Sequence, residues 1–154
     1  MNEKASAVNG TIKFEARKAL IINGRKILLM QLDPKAGFMG GEWELPGGRK
    51  VIGESDEDTV RREVLEETGL LVSIIKPVDD WELHIKSGSY ASVLEGRTFL
   101  CRADTTDVKL NDPEEQHIGY RWVTPSQALR MRIPEWLRQG LAKVKGSGDI
   151  AKYQ

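Results

Sequence analysis

Two apolar runs near the start of the chain predict a β-hairpin. Residues 19–22 and 27–30 are almost entirely aliphatic, and Asn23-Gly24 stands between them. An Asn-Gly pair between apolar runs is a strong hairpin signal, because both residues tolerate the positive φ angles of a tight turn. The segment from residue 11 is β-compatible and extends the first run, so we expect a sheet that begins with these two strands.

The residues between Ser55 and Gly69 show the pattern of an amphipathic helix. Val60 and Val64 lie four residues apart, and Leu65 widens the apolar stripe that would meet the core. Ser55 is a suitable N-cap, and Gly69 stands where a left-handed glycine commonly ends a helix. The pattern therefore predicts one helix with defined ends.

Apolar segments after this helix predict further strands, and two prolines predict helix starts. The predicted strands cover residues 70–75, 81–85, 90–94, 97–102 and 120–123, with turns at Ser87-Gly88 and Glu95-Gly96. Pro125 opens a short helix, and Pro134 opens the last one. This order predicts a single α+β domain over residues 11–145, with flexible segments at 1–10 and 146–154.

Composition narrows the class of protein. A chain of 154 residues is long enough for one domain with a hydrophobic core. Lys plus Arg and Asp plus Glu both number 23, so the chain lacks the basic excess of proteins that bind nucleic acid by bulk electrostatics. Cys101 is the only cysteine, which excludes an intrachain disulfide and fits a reducing, cytoplasmic setting. No apolar run has signal-peptide or transmembrane character, so we expect no membrane partner.

Three glutamates of the predicted helix share one face. At about 100° per residue, Glu66 lies about 60° to one side of Glu63 and Glu67 about 40° to the other. Like charges at these spacings repel each other, and an acidic cluster taken alone is most often a solvated helix face. A hard divalent cation would turn the repulsion into attraction, because Mg²⁺ is commonly bound by one or two carboxylates together with substrate phosphates.

The spacing of residues 48–70 favours the metal interpretation. Gly48, five residues, Glu54 and seven residues precede the run Arg62-Glu-Val-Leu-Glu-Glu-Thr-Gly-Leu70. This matches G-x5-E-x7-R-E-U-x-E-E-x-G-U, with U apolar, at every fixed position, and that pattern is the signature of the Nudix hydrolases. The chain resembles this family, which includes the MutT-like proteins, and the flanking Glu-Leu-Pro-Gly-Gly and Tyr-Arg-Trp-Val segments extend the resemblance over the whole domain.

The resemblance implies a fold, a reaction and a cofactor. Nudix hydrolases are α/β/α sandwiches around a mixed sheet, and they hydrolyse a nucleoside diphosphate linked to another moiety with Mg²⁺ or Mn²⁺. The implied partner is a small nucleotide, without stable nucleic-acid binding, and many relatives are homodimers. Nothing in the signature contacts the base, the sugar or the leaving group. The substrate class therefore stays open between nucleoside triphosphates, nucleotide sugars and ADP-ribose.

The same resemblance implies roles for individual residues. It implies metal binding by Gly48, Glu63, Glu66, Glu67 and Glu115. It implies catalytic roles for Glu63, Glu67 and Glu115, with Arg62 orienting a catalytic glutamate and Glu54 supporting the helix. Glu115 is preferred to Glu114 by its distance from Trp122. Many relatives carry a glutamate directly before this strand, where the chain has Gly119.

Other candidate side chains are weighed by residue type. His84 and His117 lack metal-ligand spacing and are predicted as strand or surface histidines, although His117 lies in a loop that edges the expected site. The glycine pair 47–48 is expected to let phosphate or metal approach the backbone. Segments 33–41 and 87–96 are expected to shape the pocket. The candidates for stacking on a base are Phe38, Trp43, Trp81, Tyr90, Trp122 and Trp136.

The leading hypothesis is a Mg²⁺-dependent Nudix pyrophosphohydrolase. The alternative is a catalytically weak Nudix-fold sensor that binds a nucleotide without turning it over. That alternative is less favoured, because such sensors typically have a damaged signature and an extra domain, whereas the signature here is intact. A calcium module of the EF-hand type is excluded, since its D-x-[DN]-x-[DN]-G loop is absent from the sequence.

Overall fold

The computed structural model describes residues 5–8, 11–111 and 116–154 of the chain. Its strands are β1 (Ala5–Val8), β2 (Thr11–Asn23), β3 (Lys26–Leu32), β4 (Trp43–Glu44), β5 (Gly47–Arg49), β6 (Val72–Ser87), β7 (Tyr90–Ala103) and β8 (His117–Val123). Its helices are α1 (Asp56–Thr68), α2 (Pro125–Ala128), α3 (Glu135–Ser147) and α4 (Asp149–Tyr153), and a 3-10 turn covers Gly37–Met39. Within the described ranges, no helix is long and apolar enough to cross a membrane.

The strands form one mixed sheet with β2 and β7 at its centre. These two strands run parallel, and β6 pairs antiparallel with the other side of β7. On the opposite side of β2 lies β3, which is joined antiparallel by β4 and β8. α1 packs on one face of the sheet, and α2, α3 and α4 pack on the other. The predicted α/β/α sandwich in one domain is therefore confirmed.

The hairpin predicted from Asn23-Gly24 is confirmed at the start of this sheet. Ile22 pairs with Ile27, and Asn23 pairs with Lys26, across a turn in which Gly24 has a φ of 60°. Beyond these two pairs the strands separate. β2 then pairs with β5 and β7, while β3 pairs with β4 and β8. The gap that opens between β2 and β3 is where β4 and β5 enter the sheet.

β2 divides its side chains between the two helical layers. Ala19 and Ile21 are buried in the cluster that contains α1, whereas Leu20 and Ile22 are buried in the cluster that contains α3. This follows from the alternation of side chains along a strand. Each fully buried aliphatic side chain stabilises the fold by about 1.5–3 kcal/mol relative to exposure, so both layers depend on the same strand.

Helix α1 has the ends that the sequence predicts. The Ser55 hydroxyl accepts a hydrogen bond from the backbone N–H of Asp58, and Gly69 ends the helix with a φ of 73°. The first turn is held to the sheet by Asp56, whose Oδ1 lies 2.6 Å from Arg17 Nε and 3.0 Å from Lys50 Nζ.

The apolar stripe of α1 is narrower than predicted. Val60 and Val64 are buried, but Leu65 is 49% exposed. Thr59 and Thr68 are fully buried in its place. Thr68 donates from its hydroxyl to the Val64 carbonyl oxygen, which satisfies the polar group inside the core.

The sheet contains two long strands where the sequence predicted four short ones. β6 and β7 pair from Val72↔Ala103 to Ser87↔Tyr90, with register shifts at Ile74/Lys76 and Pro77/Asp79, and residues 95 and 96 lie inside the paired region, so the predicted turn at Glu95-Gly96 is wrong. Gly96 has another function, because a Cβ atom there would lie 2.0 Å from the Trp81 ring. The Trp81 indole crosses β7 at this point and stacks on Trp136 of α3, with ring centroids 4.0 Å apart. A glycine inside a strand here marks close packing rather than a turn.

We expect Gly96→Ala to lower the free energy of unfolding by about 1–3 kcal/mol, because the new methyl group forces the Trp81 ring out of its stack. Urea denaturation followed by tryptophan fluorescence measures this change. The matched control is Gly146→Ala in α3, where a Cβ atom meets nothing within 4 Å. That control should be neutral or stabilising by about 0.5–1 kcal/mol. Equal stability of the two variants would contradict the proposed packing.

Both predicted flexible segments contain regular structure. In place of a loose tail at 146–154, α4 follows α3 after Gly148, and its Ile150 is buried in the core. Lys76 Nζ of β6 lies 2.9 Å from Asp149 Oδ1 and holds the start of α4. Near the other end, β1 pairs antiparallel with β2, whereas residues 1–4 and 9–10 lie outside the described part. Pairing with β2 and packing on the core thus give residues 5–8 and 149–153 regular structure.

Candidate functional site

The signature residues of α1 meet on the side of the helix that faces β5. Arg62 Nη1 lies 2.9 Å from Glu63 Oε1 and 3.5 Å from Glu66 Oε2. The side chain of Glu66 is 40% exposed, whereas Glu63 is half-buried and Glu67 is buried. The three carboxylates therefore form a gradient from solvent to core along one helix face.

Arg62 is clamped by Glu54 in a two-pronged ion pair. The guanidinium donates from Nε to Glu54 Oε2 at 2.6 Å and from Nη2 to Glu54 Oε1 at 2.9 Å. These bonds hold the pKa of Glu54 far below its usual range, at about 2, and the same partner raises the pKa of Arg62. The guanidinium is thus fixed while its third nitrogen reaches Glu63, which is the geometry expected of an orienting arginine.

Glu54 also ties the loop before α1 to the helix itself. Its Oε1 accepts hydrogen bonds from the Val51 backbone N–H at 3.0 Å and from the Thr59 hydroxyl at 3.1 Å. Every one of these contacts is structural, in keeping with the supporting role that the sequence predicts for this residue.

Glu67 is the deepest carboxylate of the set. Its residue is 6% exposed, and Oε1 accepts a hydrogen bond from the Gly47 backbone N–H at 3.3 Å. Burial raises the pKa of Glu67 to about 9 against the opposing effect of the Lys18 charge, and Glu63 and Glu44 raise it further. Among the described residues, no hydrogen-bond donor meets Oε2. Such an oxygen is a strong attachment point for a cation.

Behind Glu67 lies a buried polar cluster that the sequence did not predict. Lys18 Nζ lies 3.4 Å from Glu44 Oε1, and His117 Nε2 donates to the same oxygen at 3.2 Å. His117 Nδ1 is 3.7 Å from Glu67 Oε2. His117, predicted as a strand or surface histidine near the edge of the expected site, is the first residue of β8, and its side chain is only 6% exposed within this cluster.

A signal for Lys18 was present in the sequence. It shares its strand face with Leu20 and Ile22, so a lysine at this position points into the core and needs an acidic partner.

The glycine pair before α1 makes room for side chains of the protein itself. A Cβ atom on Gly48 would lie 2.5 Å from the carboxyl carbon of Glu63. A Cβ atom on Gly47, which has a φ of 141°, would lie 2.7 Å from Lys18 Cα and 2.8 Å from Lys18 Cδ. At these glycines it is Glu63 and Lys18 that lie against the backbone of β5, and the approach of phosphate or metal stays a prediction.

The donor set fits a hard divalent cation. The carboxylates of Glu63, Glu66 and Glu67 supply oxygen ligands. Because Glu66 is the most exposed of the three and Glu67 the most buried, an ion has a route from solvent to Glu67 Oε2, which meets no hydrogen-bond donor among the described residues. As these side chains stand, no three His, Cys, Asp or Glu side chains in the described ranges are close enough to hold an ion together. Glu115 and its alternative Glu114 lie outside the described residues.

The aromatic candidates for base stacking differ in accessibility. Trp81 and Trp136 are buried and stack on each other, so this contact covers one face of each ring. Trp122 donates from its indole to the Thr106 carbonyl oxygen, and the guanidinium of Arg121 lies 6.0 Å from the ring centre of Trp43. The predicted pocket segment 87–96 contributes Glu95 and Gly96 to an open cleft of about 530 Å³, whose other lining residues are Arg17, Asp80, Trp81, Glu82 and Arg97.

Comparison with known proteins agrees with this geometry. The family model for the NUDIX domain matches residues 13–144. A curated relative, the nucleoside triphosphatase NudI of Escherichia coli O17:K52:H18, is 32% identical over 140 residues, which cover 82% of this chain and 92% of the relative.

Solved structures show the same fold. The MutT protein of Methanosarcina mazei Go1 superposes with a TM-score of 0.72 at 24% identity, covering 92% of this chain and 99% of that protein. The Ap4A hydrolase of C. elegans superposes with a TM-score of 0.67 at 19% identity, covering 91% of this chain and 99% of that protein. With an intact signature helix, a matching family model and this fold, the chain belongs to the Nudix family and is a hydrolase that acts on phosphoanhydrides.

Proposed function

We propose that this protein is a divalent-cation-dependent pyrophosphohydrolase that acts on nucleoside triphosphates, with Mg²⁺ as the cofactor and Mn²⁺ as a substitute. The observation that carries the proposal is the buried Oε2 of Glu67, which meets no hydrogen-bond donor among the described residues and lies beside a Glu63 carboxylate that Arg62 holds in place. The triphosphate substrate is supported by the 32% identity to NudI, which is named a nucleoside triphosphatase. Nucleotide sugars and ADP-ribose are the next substrate classes.

Each residue has a distinct task in this proposal. Glu63, Glu66 and Glu67 hold the divalent ion, together with the backbone at Gly48. The chemistry that a divalent ion would supply there is neutralisation of the phosphoanhydride's negative charge and activation of a water. Glu67 or Glu63 accepts the proton of the attacking water, and Arg62, fixed by Glu54, orients the Glu63 carboxylate. Glu115 is proposed as the fourth carboxylate from the loop before β8.

A substrate panel tests the proposal. Purified protein is incubated with nucleoside and deoxynucleoside triphosphates, nucleotide sugars and ADP-ribose, in Mg²⁺, in Mn²⁺ and in EDTA. The nucleotide products are separated by ion-exchange chromatography and quantified, and phosphate and pyrophosphate are measured for the triphosphates. We expect triphosphate hydrolysis with either metal and none in EDTA. Binding of a nucleotide without turnover would favour the sensor alternative, and no hydrolysis of any compound would refute the proposal.

Gly48→Ala tests whether the position of the Glu63 carboxylate matters for the reaction. The added methyl group displaces that carboxylate, and a misplacement of about 1 Å at a reacting group lowers kcat/KM by about a hundredfold. Steady-state kinetics on the best triphosphate measures the loss. Gly146→Ala, which adds the same methyl group in open space on α3, should keep the activity of the unaltered protein. Full activity of Gly48→Ala would show that this contact is not needed.

The remaining partners follow from the same proposal. A small nucleotide, bound together with the divalent ion, is the proposed partner, and the equal numbers of basic and acidic residues give no support for stable nucleic-acid binding. The single, buried Cys101 is compatible with the proposed cytoplasmic location, since burial raises the pKa of its thiol to about 12 and leaves it unreactive. A homodimer is tested by light scattering of the purified protein.

A further inference from the structure

Lys18 occupies an unusual position for a lysine. Its side chain is 11% exposed, and it lies on the central strand β2 among aliphatic neighbours. The ammonium group is 3.4 Å from Glu44 Oε1 and donates to the Leu45 carbonyl oxygen at the same distance. A lysine is rarely buried unless it is paired, so its acidic surroundings decide its state.

Those surroundings keep the ammonium charged. Burial alone would lower the pKa of Lys18, but the charges of Glu44, Glu67 and Glu63 outweigh this effect and raise it above its ordinary value. The same ammonium lowers the pKa of Glu44 against the effect of burial. Lys18 therefore contributes a permanent positive charge to a cluster of carboxylates.

The backbone is shaped to bring this charge to the cluster. Lys18 pairs with Gly47 across β2 and β5, and the stem of its side chain fills the space in which a Cβ atom of Gly47 would stand. The Gly47 backbone N–H in turn donates to Glu67 Oε1. One residue of β5 thus links the lysine to the deepest carboxylate of the site.

We propose that Lys18 is an internal counter-ion of the metal site, a positioning residue whose fixed charge replaces part of the positive charge that divalent ions would otherwise supply to Glu44 and Glu67. This rests on the proposed function, because it takes Glu67 as a metal ligand. Two consequences follow. The Glu44 carboxylate keeps its charge without metal, and the site binds divalent ions less tightly than its carboxylates alone would.

Lys18→Met tests the proposal through Mn²⁺ binding, which does not depend on turnover. Methionine keeps the length and the apolar stem of lysine and removes the charge. We expect the Mn²⁺ dissociation constant, measured by titration calorimetry, to fall about tenfold, because the repulsion between Lys18 and a divalent ion is removed. Removing the Lys18 charge also strengthens proton binding to the carboxylates, and the proton competes with Mn²⁺. A proton has half the charge of Mn²⁺ and gains about half as much binding energy, so the net change favours Mn²⁺. The melting temperature in EDTA should fall, and the rise on adding Mn²⁺ should exceed that of the unaltered protein.

Two further variants separate charge from structural damage. Lys143→Met removes a lysine of α3 that lies 2.6 Å from the buried Asp79, in the layer on the opposite face of the sheet from α1. It should lower the melting temperature without changing the Mn²⁺ dissociation constant. Glu44→Gln leaves Lys18 without its partner charge, so it should weaken Mn²⁺ binding, and the double variant with Lys18→Met should return close to the original affinity.

The conclusion depends on opposite changes of the Mn²⁺ dissociation constant, which should fall in Lys18→Met and rise in Glu44→Gln. A loss of packing alone would raise it in both variants. Unchanged or weaker binding in Lys18→Met would overturn the internal counter-ion while leaving the proposed function intact. If Lys18→Met does not fold, the outcome rests on Glu44→Gln, whose unchanged affinity would overturn it equally. Failure of the unaltered protein to bind Mn²⁺ would overturn the proposed function and this inference together.

Discussion

Glu67→Gln is expected to lower kcat/KM for the best nucleoside triphosphate by at least about a thousandfold, because the variant loses a ligand that holds the divalent ion against the developing charge of the reaction. Glutamine has the same shape as glutamate, so the Gly47 N–H keeps an oxygen acceptor at 3.3 Å. The loss is then one of charge rather than of packing. Steady-state kinetics in saturating Mg²⁺ measures it.

The matched control for this variant lies in the same helix. Glu57 stands in the first turn of α1 and is exposed, away from the face that Arg62 and Glu63 share. Glu57→Gln removes one charge from the helix and should leave kcat/KM within about twofold, since exposed charges contribute little at physiological salt. A Glu67→Gln enzyme that keeps more than a tenth of the original activity would place the essential carboxylate elsewhere.

The second prediction concerns Glu67 and the pH dependence of the free energy of unfolding in the absence of metal. The pKa of Glu67 is raised to about 9 in the folded protein by burial, from an unfolded value of about 4.5. Between these two pH values the folded state holds a proton on Glu67 that the unfolded state has lost. The contribution of Glu67 to the free energy of unfolding therefore falls as the pH rises. This contribution is fully present below about pH 4.5 and is lost as the pH rises through about 9.

Urea denaturation in EDTA at several pH values measures this contribution as the difference between the unaltered protein and Glu67→Gln. Glutamine resembles the protonated acid at every pH, so the inactive variant should become the more stable protein by a few kcal/mol at about pH 9. Mn²⁺ should restore the stability of the unaltered protein and leave the variant nearly unchanged. Parallel pH curves for the two proteins would show that Glu67 ionises as an ordinary surface carboxylate.

The parts of the fold that were predicted correctly are those with local signals. The N-cap and C-terminal glycine of α1, and the Asn-Gly hairpin, depend on residues a few positions apart. The turn predicted at Gly96 is wrong because the residue that requires a glycine there is distant in sequence. That residue is Trp81 of the neighbouring strand, whose ring lies across Gly96. The order of α4 likewise depends on Lys76, which no pattern in residues 146–154 could reveal.

In the candidate site, too, the residues predicted from the sequence are those with local signals. Spacing along one helix put Glu63, Glu66 and Glu67 on one face, and the family resemblance implied separate roles for Arg62 and Glu54. The ion pair between Arg62 and Glu54 was not predicted. Lys18, Glu44 and His117 are brought together from three separate strands, so no spacing rule connects them. Only the core-facing position of Lys18 on an apolar strand was a readable warning that an acidic partner must lie nearby.

The two neighbouring basic residues of β2 restrict how this chain can change in length. Arg17 holds the first turn of α1 through Asp56, and Lys18 reaches the opposite end of the helix beside Glu67. Because they are adjacent, an insertion or deletion of one residue upstream of them in β2 would exchange the faces to which they point. Such a change would misplace both ends of the signature helix at once. Length variation among homologues of this protein should therefore fall in the hairpin tips and not in the central strand.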